Sequence, residues 1–229
     1  NELGTLQPIR EIADFCRSRH IPMHCDAVQA VGKIPIDFRQ LGVSTLAFSA
    51  HKFHGPRGFG GLLVRHGVSL RPLLLGGSQQ LGTRPGTEPV AAAVGTLRAL
   101  RTLAGHQPTW WEQVQPLRDR LEKRILSTTQ AVVIGQEPRM PHATNLAFPG
   151  LDRQAIVMAL DLAGVECSTG SACTSGSSEP SHVVLATGAN EELVQGSIRL
   201  SLNAGISVAD IDFASDRILS VINNLRSAL

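Results

Sequence analysis

Apolar positions along the first hundred residues switch between a helical and a strand-like period. Leu6, Ile9, Ile12, Ala13 and Cys16 recur at helical spacing across 6–19, with Pro8 tolerated in the first turn. An apolar run at 21–25 predicts a strand, a short helical piece follows at 27–31, and a second strand is expected at 44–48. A third strand at 61–65 comes after a glycine-rich turn at 55–61. This alternation with short connections predicts an α/β sheet. Residues 73–87 carry no period and read as a loop, whereas 88–105 read as a helix. The stop at Gly105-His106-Gln107-Pro108 places the domain boundary, giving domains at 1–107 and 108–229.

Beyond that stop, Val114, Leu117, Leu121 and Ile125 share one face of a helix at 109–128. Strands follow at 131–134 and 144–148, then a helix at 152–163 and a short strand at 165–168. A Gly/Ser/Thr-rich loop at 169–179 precedes a helix at 181–187, a strand at 197–202 and a terminal helix at 207–227. The second domain therefore reads as small and α+β.

Composition narrows the function classes. A net charge of +2 gives no electrostatic case for nucleic acid, and no apolar run approaches the roughly 20 residues of a membrane helix. Cys16, Cys25, Cys167 and Cys173 form no C-x-x-C pair, so neither a disulfide framework nor a structural zinc site is expected. A reducing, cytoplasmic setting follows as the expectation. The sequence opens with Asn rather than Met, inside what reads as a motif, so an N-terminal part is expected to be missing.

The candidate chemistry gathers on strand ends. Asp26 ends the first strand and Gln29 lies three residues on; Ser49, His51 and Lys52 follow the second. A lysine can form an imine with an aldehyde, a carboxylate can pair with a pyridinium nitrogen, and hydroxyl and imidazole donors can hold a phosphate. That set is what pyridoxal phosphate requires of a protein, and strand carboxyl ends are where ligands of open α/β sheets collect. Each residue also has a plainer reading: Asp26 as a helix cap, Gln29 as a polar helix position, Lys52 as a surface lysine. His51 and His54 lie three apart, but no third ligand is in register, so no metal is expected.

Cys173 lies among glycine and small hydroxyl residues, as a nucleophile on a flexible, accessible arm would, whereas Cys16 and Cys25 sit among apolar residues and Cys167 reads as packing. Arg199 alternates with Ile198 and Leu200, so it faces away from them; its planar fork suits a carboxylate, or it is an ordinary strand arginine. The turn Thr83-Arg84-Pro85-Gly86-Thr87 offers donors for a phosphate, or is a surface loop.

Six runs, in order, resemble the cysteine desulfurases of the class V aminotransferase group: Asn1-Glu2-Leu3-Gly4-Thr5-Leu6-Gln7-Pro8, His24-Cys25-Asp26-Ala27-Val28-Gln29, Ser49-Ala50-His51-Lys52, Arg84-Pro85-Gly86-Thr87, Gly170-Ser171-Ala172-Cys173 and Ser197-Ile198-Arg199-Leu200-Ser201. The resemblance implies fold type I, with part of a large mixed-sheet cofactor domain followed by the small domain. It implies pyridoxal 5'-phosphate held by Lys52, with Asp26 on the ring nitrogen and Gln29 on the phenolic oxygen. Ser49 and His51 would bind the phosphate, and Thr87 that of a neighbouring subunit in a homodimer. Asn1 and Arg199 would hold the carboxylate of L-cysteine, Lys52 would take its α-proton, and Cys173 would take its sulfur as a persulfide. The acceptor would be a protein such as an iron–sulfur scaffold or a tRNA-thiolation partner. The family's N-terminal phosphate loop and ring-stacking histidine have no counterpart here. Selenocysteine lyase, another lyase or transaminase on the same scaffold, and a non-catalytic fragment are the competing expectations.

Overall fold

The computed structural model of the chain describes residues 1–105, 107–170, 179–203 and 205–228, with only the backbone of 107–111. It divides into two compact units, residues 7–107 and residues 1–6 with 108–229.

The first unit opens with helix α1 (Ile9–Ser18), which starts after Pro8 rather than at Leu6 because the Leu6 amide pairs elsewhere. Strand β1 (His24–Asp26) is shorter than the run expected at 21–25; Pro22 has no N–H to give a ladder. β2 (Thr45–Ser49) pairs parallel with β1, and β3 (Gly60–Val64) pairs antiparallel with β2. The piece expected as a helix at 27–31 is a succession of turns closed on the Ala27 and Ala30 carbonyls. A one-turn helix not foreseen, α2 (Phe38–Leu41), is capped by Asp37, whose side chain accepts from the Arg39 and Gln40 amides. Helix α3 (Val90–Ala104) completes the unit. Its core gathers Ala13, Cys25, Ala27, Val43 and Leu46.

In the second unit, α4 (Gln107–Leu126), α5 (Arg153–Leu162) and α8 (Val208–Ser227) supply apolar faces to a sheet of β4 (Val132–Val133), β5 (Ala143–Ala147) and β6 (Ser197–Ser201), ordered β4-β5-β6 and antiparallel throughout. Ile198 and Leu200 join Leu146, Ile156, Leu160, Ile218 and Ile222 in this core. Two short helices, α6 (His182–Ala186) and α7 (Glu191–Gln195), contribute Val184 and Val194 to a smaller cluster with Ile134 and Ala147. The strand expected at 165–168 reduces to one antiparallel bridge, Ser168 to Arg199.

Residues 1–6 cluster with this second unit, whereas the sequence division at 107/108 groups them with the first. The Leu6 amide donates to the Pro138 carbonyl (2.8 Å), the Met140 amide donates to the Gly4 carbonyl (2.7 Å), and Thr5 bridges Arg139. Gly4 is required there: its φ is +78°, and a Cβ would lie 3.1 Å from the Ala143 carbonyl oxygen.

Candidate active site

In the first unit, side-chain alternation decides which groups meet. Cys25 and Leu46 are register partners and both are buried in the core. His24, Asp26, Thr45, Ala47 and Ser49 therefore share the opposite face, and the 2.8 Å hydrogen bond between His24 Nδ1 and Thr45 Oγ1 lies on it. Asp26 is in register with Ala47, and Ser49 lies two residues, about 7 Å, further along the parallel pair. Asp26 is exposed, and its Oδ1 accepts from the Val28 amide at 2.9 Å, which fixes the carboxylate at the strand end.

The chain then tightens into a 3-10 turn over Ala50–Phe53. Residues three apart share a side of such a turn, so burying Ala50 and Phe53 turns His51 and Lys52 away from the core. Ser49 Oγ and His51 Nδ1 are 2.8 Å apart, and Lys52 is half-buried. The turn closes with His54 in the left-handed region and the Gly55 amide donating to the Ala50 carbonyl at 2.9 Å. A Cβ on Gly55 would meet that carbonyl oxygen at the same 2.9 Å, so only glycine permits this closure.

Two other predicted residues are not drawn into the group. Gln29 Oε1 accepts from Lys33 Nζ at 2.8 Å. Thr87 is exposed on its turn, where the Gly86 amide donates to Gln79 Oε1 at 3.2 Å.

In the second unit, Arg199 stands on β6 between buried Ile198 and Leu200 and donates through Nη1 to the Asn1 carbonyl at 3.2 Å. Its backbone exchanges hydrogen bonds with Ser168, amide to carbonyl at 2.6 Å one way and 3.0 Å the other. Glu2, next to Asn1, is buried and bound to Ser181, a role with no local signal in the sequence. Cys173 falls within 171–178, outside the described residues. The remaining cysteines are poor nucleophiles where a shift is resolved. Burial pushes the Cys167 thiol up to about 12, reinforced by Asp161, and raises that of Cys25, reinforced by Asp26.

A carboxylate, a hydroxyl–imidazole pair and a lysine at the carboxyl ends of neighbouring strands fit pyridoxal phosphate: each is a donor or acceptor that the ring nitrogen, phosphate or aldehyde of that group requires. The mixed-sheet α/β frame is that of the fold type I enzymes. The chain belongs to the aminotransferase class-V family, whose model matches residues 1–213. It is 43% identical to a cysteine desulfurase of Klebsiella pneumoniae over 99% of its length, and 38% identical to cysteine desulfurase IscS of Clostridium botulinum over the same share. Among solved structures, a NifS-like protein superposes with a TM-score of 0.88 at 31% identity, over 98% of this chain and 59% of the other. A second NifS-like protein, from Rickettsia africae, gives the same score at 29% identity. The chain spans 57% and 58% of the two curated relatives' lengths.

Proposed function

We propose that the chain is the greater part of a pyridoxal-phosphate-dependent cysteine desulfurase, which converts L-cysteine to L-alanine and takes the sulfur as a persulfide on Cys173. The observation that carries the reading is the shared sheet face of Asp26 and Ser49, with Lys52 presented by the turn that follows. In this reading Asp26 keeps the cofactor's ring nitrogen protonated and Gln29 serves its phenolic oxygen. Ser49 and His51 hold its phosphate, with Thr87 reaching that of a second copy in a homodimer. When bound, the group supplies an electron sink for charge that develops at the substrate's α-carbon. Arg199 and Asn1 orient the substrate carboxylate, a fork-to-carboxylate pairing that fixes direction as well as affinity. Lys52 Nζ takes the α-proton, and the Cys173 sulfur attacks the substrate sulfur as its bond to carbon breaks. The two units correspond in this reading to a cofactor domain and a small domain. The sulfur acceptor is a protein, an iron–sulfur scaffold or a tRNA-thiolation partner, in the cytoplasm. Among the described residues no helix is long and apolar enough to cross a membrane.

Adding pyridoxal phosphate to the purified chain and recording visible absorbance before and after borohydride tests this reading. A band that cysteine shifts, that borohydride bleaches and that Lys52→Ala abolishes is expected. A folded chain with no Lys52-dependent band would refute the claim that these residues suffice to hold the cofactor.

A further inference from the structure

Asn145 has no part in the chemistry above, yet it sits 1% exposed on the central strand β5, directly across from Arg199 in the register of β5 and β6. Register partners of an antiparallel pair point to one face, so both side chains stand on the same side of the sheet. The ladder bonds show how close they come. The Leu202 amide donates to the His142 carbonyl at 2.7 Å, and the Phe148 amide to the Gly196 carbonyl at 3.0 Å. Alternation from either end leaves Asn145 and Arg199 with no ladder bond between them. The Arg199 backbone bonds Ser168 instead, and the Asn145 carbonyl accepts from the Ile134 amide at 2.9 Å. Cα atoms of such a pair lie about 4.5 Å apart, the closer of the two antiparallel spacings.

The side-chain oxygen of Asn145 is enclosed and has no hydrogen-bond partner among the described residues. An unpaired buried acceptor forfeits its hydration for nothing, so an apolar side chain of the same size would serve the fold at least as well. Its neighbours on this face of the sheet leave one donor group for it. Ala143 and Ala147 flank it on β5, and the Ser197 hydroxyl is committed to the Val194 carbonyl at 3.2 Å. Arg199 has N–H groups to spare. A guanidinium carries five, and among the described residues only Nη1 is engaged, on the Asn1 carbonyl. A bidentate carboxylate would take two more, which still leaves a donor for Asn145.

We propose that Asn145 is a positioning residue for Arg199. Its side-chain oxygen accepts from the inner edge of the guanidinium as the fork closes on a substrate carboxylate, and so fixes the plane in which that carboxylate is held. The inference rests on the reading of Arg199 as the carboxylate clamp, and failure of the one gives a different result from failure of the other.

The probe is β-mercaptopropionate, which has the carboxylate and thiol of cysteine but no amine, and so forms no imine. It is titrated into the full chain while the arginine Nε–H resonances are followed by NMR, with Arg199 identified by the signal that Arg199→Lys removes. Binding should shift the Arg199 resonance. Asn145→Leu, close in volume, should weaken binding about ten-fold, the effect of losing one hydrogen bond to a charged group. Its unfolding midpoint in urea should hold or rise, because an unpaired buried acceptor has gone. Asn145→Asp gives the guanidinium a carboxylate of its own and should abolish binding; it serves if Asn145→Leu does not fold. Unchanged affinity in either variant, or a loss of affinity matched by a fall in the urea midpoint, would overturn the role of Asn145 and leave the clamp standing. An Arg199 resonance that ignores the probe in the unsubstituted chain would overturn both.

Discussion

Replacing Glu122 by Gln removes the negative member of a buried ion pair without changing its shape. Glu122 and Arg139 are 8% and 7% exposed, and the guanidinium meets the carboxylate through two bonds, Nη1 to Oε1 at 2.8 Å and Nη2 to Oε2 at 3.0 Å. Arg139 keeps a second acid, since its Nε also donates to Glu137 Oε1 at 2.8 Å, but Glu137 is largely exposed. Breaking one partner of a buried pair costs about 3–5 kcal/mol, and the surviving contact with Glu137 puts this case near 3 kcal/mol. With a urea slope of about 2 kcal/mol per molar, the unfolding midpoint should fall by about 1.5 M. Circular dichroism follows the unfolding through the loss of this unit's helices, α4 and α8 the longest at 20 residues each. Arg139 also bridges Thr5, so amide exchange at residues 4–6 should quicken in the same variant. Glu137→Gln is the control, with an expected loss of about 1 kcal/mol or less. A Glu122→Gln loss no greater than that of Glu137→Gln would refute the claim that burial gives this pair its weight.

Burial raises the Glu122 carboxyl, but the Arg139 hydrogen bonds and the charges of Arg139 and Arg118 outweigh it and hold it below its ordinary value. A depressed carboxyl contributes stability that is fully present above its unfolded value of about 4.3 and is lost as pH falls through the lower folded one, so the midpoint in urea should drop below about pH 4.5, and less so in Glu122→Gln. Asp212, bonded by Arg120 against a weaker desolvation effect and then by Arg124, is held down to about 2, and a carboxyl titration followed by NMR should find it still ionised at pH 3. Gly196→Ala would drive a Cβ to 2.1 Å from the Phe148 carbonyl oxygen, a backbone atom that cannot step aside, and should cost about 3 kcal/mol by thermal unfolding. Ser207 opens α8 in a reciprocal cap with Asp210, so Ser207→Ala should cost about 1 kcal/mol in the same assay.

Long periodic stretches were the legible part of the fold. Leu121 and Ile125, spaced for one helix face, are both buried on α4, and the terminal helix begins at Val208, after the Ser207 cap, one residue inside its expected start. What escaped was short or held from a distance. α2 and α7, of four and five residues, are too brief to show a period, and their Asp37 and Asn190 caps resemble ordinary turn residues. The helix at 6–19 is shorter than its stripe predicts: Leu6 fits the pattern, but its amide donates to the Pro138 carbonyl, far along the chain. In the site, Asp26 and the Ser49–Lys52 run were legible because turn residues mark strand ends locally. Glu2 was not: its burial depends on Ser181, 179 positions away, and nothing beside it in sequence announces that partner.

The sheet order β1-β2-β3 leaves two strands with one free side each among the described residues. β3 also shows Leu62, Leu63 and Val64 to solvent, each more than a third exposed. An apolar strand with one open edge is a template for any extended chain that drifts against it. The colloidal behaviour of the chain is thereby set by five residues at one rim: its solubility should fall with concentration well below the unfolding temperature, and a lysine placed at Leu63 should keep it dispersed.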